Sequence, residues 1–92
     1  MKVYLFVFGN GFGDRESVKE ILHSMEGDIV AWRTDMSNAF YLKSELSADD
    51  LANRLREKKP LGRFLVQEFT DNKQGWITKE SWRFLRDMRM RS

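Results

Sequence analysis

The chain has 92 residues, of which 41% are hydrophobic and 33% are charged, a mixture that excludes an intrinsically disordered, collagen-like or low-complexity protein. Its length predicts one domain over residues 1–92, with a core over residues 2–70 and a C-terminal loop and helix over residues 71–92. With no cysteine and one histidine, His23, the composition excludes a disulfide scaffold and a thiol nucleophile. It also argues against the common zinc sites and a histidine-based catalytic triad.

The basic residues are concentrated in the second half of the chain. Residues 1–46 carry five basic and seven acidic side chains, whereas residues 47–92 carry eleven basic and seven acidic ones. Such clusters are typical of a phosphate-binding surface and also of a solvated helix face. RNA or DNA is therefore a candidate partner. The candidate contact residues are Arg54, Lys58, Lys59, Arg63, Lys79, Arg83, Arg86 and Arg89.

The first predicted element is a strand over residues 3–8, which are apolar throughout and therefore typical of a strand buried on both faces. Six apolar residues are too few for a signal peptide or a membrane span, so we expect a cytoplasmic protein with no membrane partner. A glycine-rich segment follows, and Asp14 is the expected N-cap of an amphipathic helix. The helix has one apolar stripe and ends near Gly27 in a left-handed turn; His23 points to water.

The middle of the chain predicts a short strand over residues 29–32, a turn over residues 33–38 and a strand over residues 39–43. In the third strand, Phe40 and Leu42 lie on one face and Tyr41 lies on the other. Ser47 is the expected cap of a second amphipathic helix. That helix ends near Lys58 because Pro60 follows.

The last predicted elements are a fourth strand over residues 63–69, a polar loop and a helix from the Thr78 cap to about residue 90. The resulting order, β-α-β-β-α-β followed by a helix, is the ferredoxin-like arrangement of an α+β protein. Both main helices then cover one face of the antiparallel sheet. We expect Tyr4, Phe6 and Phe8 on the other face, where the C-terminal helix, a second subunit or nucleic-acid bases cover them. They are the candidate interface residues.

Two aromatic features bear on nucleic acid. The C-terminal helix has an apolar side with Phe84, Leu85 and Met88 and a basic side flanked by Trp82, which is typical of a docking helix or of a phosphate-contacting stripe with a stacking ring. Residues 5–10 are similar to the first-strand motif of RNA-recognition domains. Residues 37–41 lack the basic residue and glycines of its partner motif, which favours a core or interface role for the rings.

Several segments together resemble a known group of proteins. They are the opening strand with its glycine-containing loop, residues 39–43, residues 46–51, residues 62–68 and the Gly75-Trp76 pair. Over residues 2–76 the chain resembles the SinR-like group of small proteins, which is distantly related to VapD toxins and to the small CRISPR-associated ferredoxin-like endonucleases. The resemblance implies a ferredoxin-like fold and a homodimer. Some members are metal-dependent nucleases with an aspartate directly after the first strand.

This chain departs from the nuclease pattern at that position. Gly9 and Asn10 follow the first strand, whereas Mg²⁺ needs anionic oxygen ligands. Asp14 is expected to cap a helix, and Asp35 is expected at the opposite end of the sheet. The glycines also fail the dinucleotide-binding spacing, which needs glycine where Asp14 stands. We therefore expect no catalytic residues, no metal and no cofactor. The first hypothesis is a homodimeric interaction module, and the alternatives are a nucleic-acid-binding protein and a metal-dependent nuclease.

Overall fold

The computed structural model describes residues 1–89 of the chain and the side chains of residues 1–86. Seven elements follow one another, in the order predicted. They are β1 (Lys2–Phe8), α1 (Arg15–Ser24), β2 (Ala31–Met36), β3 (Ala39–Ser44), α2 (Ala48–Lys58), β4 (Phe64–Glu68) and α3 (Lys79–Arg89). The strands form one antiparallel sheet in the order β2-β3-β1-β4. The predicted fold class is confirmed: the chain is α+β with a ferredoxin-like layout and an added C-terminal helix.

All three predicted caps form as expected. The Asp14 carboxylate accepts a hydrogen bond from the backbone N–H of Ser17 at 2.9 Å. The hydroxyl groups of Ser47 and Thr78 do the same for the N–H groups three residues on. Each bond satisfies an N–H that has no partner inside its helix.

The first face of the sheet carries the main core. Tyr4, Phe6 and Phe8 are buried there against apolar residues of α1 and α2, so the prediction that they lie on the other face is wrong. The space between the sheet and the two helices α1 and α2 is larger than the space under α3, and the large aromatic rings of β1 fill it. These three side chains are core residues within one protomer and are not available as an interface.

The second face is covered in part by α3. Leu85 packs with Val3 and Tyr41 into a smaller cluster, and Tyr41 lies on the opposite face of β3 from Phe40 and Leu42, as predicted. The C-terminal helix is therefore a cover of the sheet, on the side where the smaller residues of β1 point. Predictions that involve the side chains of Met88 and Arg89 fall outside the described residues.

Two elements, β2 and α1, differ from their predicted bounds by more than one residue. β2 runs over Ala31–Met36 because a two-residue turn, Ser37 and Asn38, joins it to β3. The pairing with β3 includes a bulge between Arg33 and Met36. The bulge accommodates the polar residues for which the sequence pattern predicts a turn. α1 ends at Ser24, and Gly27 does not adopt a left-handed conformation. Instead the Met25 N–H closes the helix on the Leu22 carbonyl at 3.1 Å.

Candidate interaction surfaces

The basic residues do not form one surface. Arg54, Lys58 and Lys59 lie at α2, on the first face of the sheet, whereas Lys79, Arg83 and Arg86 lie on α3, on the second face. Arg54 is already engaged, because its guanidinium donates to both carboxylate oxygens of Asp28 at 2.9 Å. Arg63 precedes β4 at the edge of the sheet, and the side chain of Arg89 is outside the described part. Arg54 and Lys58 share an exposed face of α2 beside Asp28, and the three residues on α3 share an exposed face that no ion pair among the described residues neutralises.

An open depression of about 660 Å³ lies where β1 ends. Gly11 and Gly13 line it with positive φ angles of 87° and 115°, a conformation that glycine adopts without strain. The hydrogen bond from the Ser17 backbone N–H lowers the pKa of the Asp14 carboxyl below its ordinary value. The carboxylate is thus committed to capping α1.

The β2–β3 turn lies beside the same depression, since the Phe8 N–H donates to the Asn38 carbonyl at 3.0 Å. The expectation that Asp35 belongs to the opposite end of the sheet is therefore wrong. Its carboxylate nevertheless points to the second face, toward Tyr41. Among the residues that the structure describes, no three His, Asp or Glu side chains are grouped so that they could hold a metal ion.

A polar network fixes the start of α3 on the second face. Asp35 accepts hydrogen bonds from the hydroxyl groups of Tyr41 at 3.0 Å and Thr78 at 3.4 Å. The Arg33 Nε donates to the Ser81 hydroxyl at 2.6 Å, and Ser81 is fully buried. Burial, the hydrogen bond to Asp35 and its negative charge raise the pKa of Tyr41 to about 12.

This network predicts a stability loss in strong alkali. The unfolded chain loses the Tyr41 proton near the ordinary pKa of 10, and the folded chain holds it to about 12. The stabilisation is complete below pH 10 and is lost as the pH rises through 12. Chemical unfolding from pH 8 to pH 12 should show the advantage of the wild type over Tyr41→Phe shrinking across that range. An advantage that stays constant would contradict the assignment.

An aromatic groove of about 280 Å³ lies between the second face, α3 and the loop that precedes it. Its walls include Tyr41, Phe69 and Trp82, and Lys73 stands at its border. Trp76 lies at its rim and is 100% exposed. Trp76 is the most exposed large hydrophobic residue of those that the structure describes, and the sequence pattern alone did not single it out as a surface residue.

The two edges of the sheet differ in how they are protected. Natural sheets protect an edge with bulges and charges, because unpaired backbone groups recruit other strands. The β2 edge has a bulge and carries Arg33 and Asp35. The β4 edge pairs with β1 without a register shift, its one charged residue is Glu68 at the end of the strand, and Leu65 near its centre is 63% exposed.

Leu65 lies on the second face, because it stands opposite Val7 while the core residue Phe6 stands opposite Val66. Alternation across the strand places Leu65 and Val66 on opposite faces, and the predicted ferredoxin-like arrangement makes β4 an edge strand, but the sequence does not reveal that Leu65 is left in water. Sequence reasoning therefore missed Leu65 as a surface residue. Its signal, an apolar residue on the solvent side of an edge strand, is visible only once it is known that α3 leaves this part of the second face uncovered.

No helix in the part of the chain that the structure describes is long and apolar enough to cross a membrane. Comparison of the chain with protein-family models, with curated proteins and with solved structures finds no match.

Proposed function

We propose that this protein is a small, non-catalytic interaction module that forms a homodimer through the β4 edge of its sheet. The observation that carries the proposal is the exposure of Leu65 on an edge strand that has neither a bulge nor a proline. Strand addition at such an edge gains backbone hydrogen bonds and buries the exposed side chains together.

Burial of the Leu65 side chain should stabilise the dimer in addition to the new backbone hydrogen bonds. Complete burial of a leucine side chain contributes about 1.5–3 kcal/mol, and a symmetric dimer buries this residue twice. Phe64 and Val66, which are half-buried on the other face, lose further contact with water when a second strand lies beside them. A second copy of the chain is the occupant that offers a matching edge, since it carries the same apolar residues.

Light scattering after size exclusion at micromolar concentration should give twice the monomer mass of 10.9 kDa. Leu65→Lys should give the monomer mass, because like charges directly opposite each other across a strand pair are destabilising. Val30→Lys is the matched control, since Val30 is 56% exposed and lies just before β2, at the other edge. A wild-type monomer, or a Leu65→Lys protein that remains dimeric, would refute the proposal.

A second candidate function, binding of single-stranded RNA or DNA, is favoured by one specific observation. The fully exposed ring of Trp76 lies next to the helix that presents Lys79, Arg83 and Arg86 to solvent. Exposed aromatic rings beside basic residues are the two parts of a single-strand binding surface, where stacking contributes about 1–3 kcal/mol per base.

Fluorescence anisotropy with labelled single-stranded RNA and DNA tests this candidate. Trp76→Ala should weaken binding by about 5- to 150-fold, which is the stacking energy expressed as a ratio, and affinity should fall steeply with salt. Leu61→Ala is the control, because Leu61 is 92% exposed and lies before β4, away from α3. With Mg²⁺ added, the oligonucleotides should stay intact. Equal affinities of the wild type and Trp76→Ala would exclude this surface.

A further inference from the structure

We infer that two copies join their β4 strands in one antiparallel register, with Leu65 on the two-fold axis, to form a continuous eight-stranded sheet. The inference rests on the proposed homodimer and specifies which atoms meet. It follows from the direction of the backbone groups of β4, from the side chains that each register would oppose, and from the charges of α2.

The backbone groups that β4 leaves free are identified by its pairing with β1. The Gly9 N–H donates to the Arg63 carbonyl at 2.9 Å, and the Phe69 N–H donates to the Val3 carbonyl at 2.8 Å. In an antiparallel pair, successive residues direct their N–H and C=O groups alternately toward and away from the partner strand. The odd-numbered residues of β4 thus bond to β1. The groups directed outward belong to Phe64, Val66 and Glu68.

A two-fold axis perpendicular to the sheet keeps each face continuous, so residues that meet across the axis must belong to the same face. With the axis at Leu65, the outward groups of Phe64 meet those of Val66 of the partner subunit, and the reciprocal pair forms as well. Leu65 then stands opposite Leu65 of the partner subunit as a non-hydrogen-bonded pair. In such pairs the Cα atoms are closest, at about 4.5 Å. Both faces of the new strand pair are apolar at the centre.

The neighbouring registers are less favourable. An axis at Arg63 would place two guanidinium groups opposite each other, which is destabilising. An axis at Val66 would place Phe64 opposite the partner subunit's Glu68 and Leu65 opposite the partner subunit's Gln67. An axis at Gln67 would centre the interface on two amides. An axis at Phe64 would place Leu65 opposite the partner subunit's Arg63. Of these registers, only the Leu65 register joins apolar residues to apolar residues on both faces.

The charges of α2 support the same symmetry. This helix packs over β4 and carries Asp49 and Asp50 in its first turn and Arg56 and Lys58 in its last turn. A two-fold axis perpendicular to the sheet sets the α2 helices of both copies side by side in opposite directions. The acidic end of one helix then lies beside the basic end of the other, which is the favourable arrangement for both the side chains and the helix dipoles.

Cysteine crosslinking tests the register cleanly, because the natural chain has no cysteine. Under mild oxidation, Leu65→Cys should run at twice the monomer mass on a non-reducing gel. The expected Cα separation lies within the range of about 4.4–6.8 Å that a disulfide needs. Arg63→Cys, Val66→Cys and Gln67→Cys, each alone, should remain monomeric on the gel, as should Val30→Cys at the other edge. A mixture of the Arg63→Cys and Gln67→Cys proteins should crosslink, since these positions meet in the Leu65 register.

Light scattering of the same variants under reducing conditions shows whether each is a dimer, and crosslinking shows in which register the dimer forms. Dimers that crosslink at Leu65 and in the mixture support the register. Dimers that crosslink instead through Arg63→Cys, Val66→Cys or Gln67→Cys alone overturn the register and leave the proposed homodimer at the β4 edge standing. Dimers that crosslink through none of the β4 positions overturn the register, and the mass of the Leu65→Lys protein then decides whether the β4 edge is the interface. Monomers of the wild type and of all variants overturn both.

Discussion

Replacing Phe6 with alanine is expected to lower the free energy of unfolding by about 3–5 kcal/mol. The side chain is 0% exposed, and its ring lies 5.3 to 6.5 Å, centroid to centroid, from four other phenylalanine rings. These are Phe8, Phe12, Phe40 and Phe64. The substitution removes the transfer energy of a whole ring and leaves a cavity that the sheet and two helices cannot close by collapsing. The total free energy of unfolding of a domain is about 5–15 kcal/mol, so much of the stability of this protein depends on Phe6.

Urea unfolding followed by circular dichroism measures the effect. The midpoint should fall sharply for Phe6→Ala, while Leu61→Ala, at a position that is 92% exposed, should stay within about 0.5 kcal/mol of the wild type. Phe6→Leu should fall between the two, since it retains part of the buried volume. If Phe6→Ala and Leu61→Ala were equally stable, Phe6 would not belong to the core, and the assignment of β1 faces would have to be reversed.

The substitution Leu85→Ala should cost about 2–3 kcal/mol, near the lower end of what leucine truncations in a core cost. Leu85 is 3% exposed and is the buried residue of α3 that packs with Val3 and Tyr41. The cluster on this face is smaller than the main core, so its neighbours can relax more fully into the vacated space. Loss of the contact should also loosen the cover of the second face and increase binding of a hydrophobic dye.

Arg83→Ala is the matched control, because Arg83 lies on the same helix and is exposed. Its free energy of unfolding should remain within about 0.5 kcal/mol of the wild type. Unchanged stability of Leu85→Ala would mean that α3 does not dock on the sheet in solution. The polar network of Arg33, Asp35 and Ser81 would then have no helix to hold.

Local sequence rules account for most of the element order and for the helix starts. Asp14, Ser47 and Thr78 each cap a helix as predicted, because a cap depends on a side chain and an N–H only three residues apart. The alternation in β3 separates Phe40 and Leu42 from Tyr41 for a similar reason, since successive residues of a strand point to opposite faces. These features involve near neighbours in the chain and need no knowledge of the remaining fold.

The tertiary structure alone decided which of two equivalent faces meets the helices. Alternation in β1 shows that Tyr4, Phe6 and Phe8 share a face, but whether α1 and α2 cover that face depends on the path of the whole chain. The same holds for the basic residues. Those of α2 lie on the first face of the sheet and those of α3 lie on the second, because the two helices cover different faces. The exposure of Leu65 depends on α3 leaving this part of the second face uncovered. Sequence periodicity shows which residues share a face of a strand or helix, whereas the packing of distant elements determines what that face contacts.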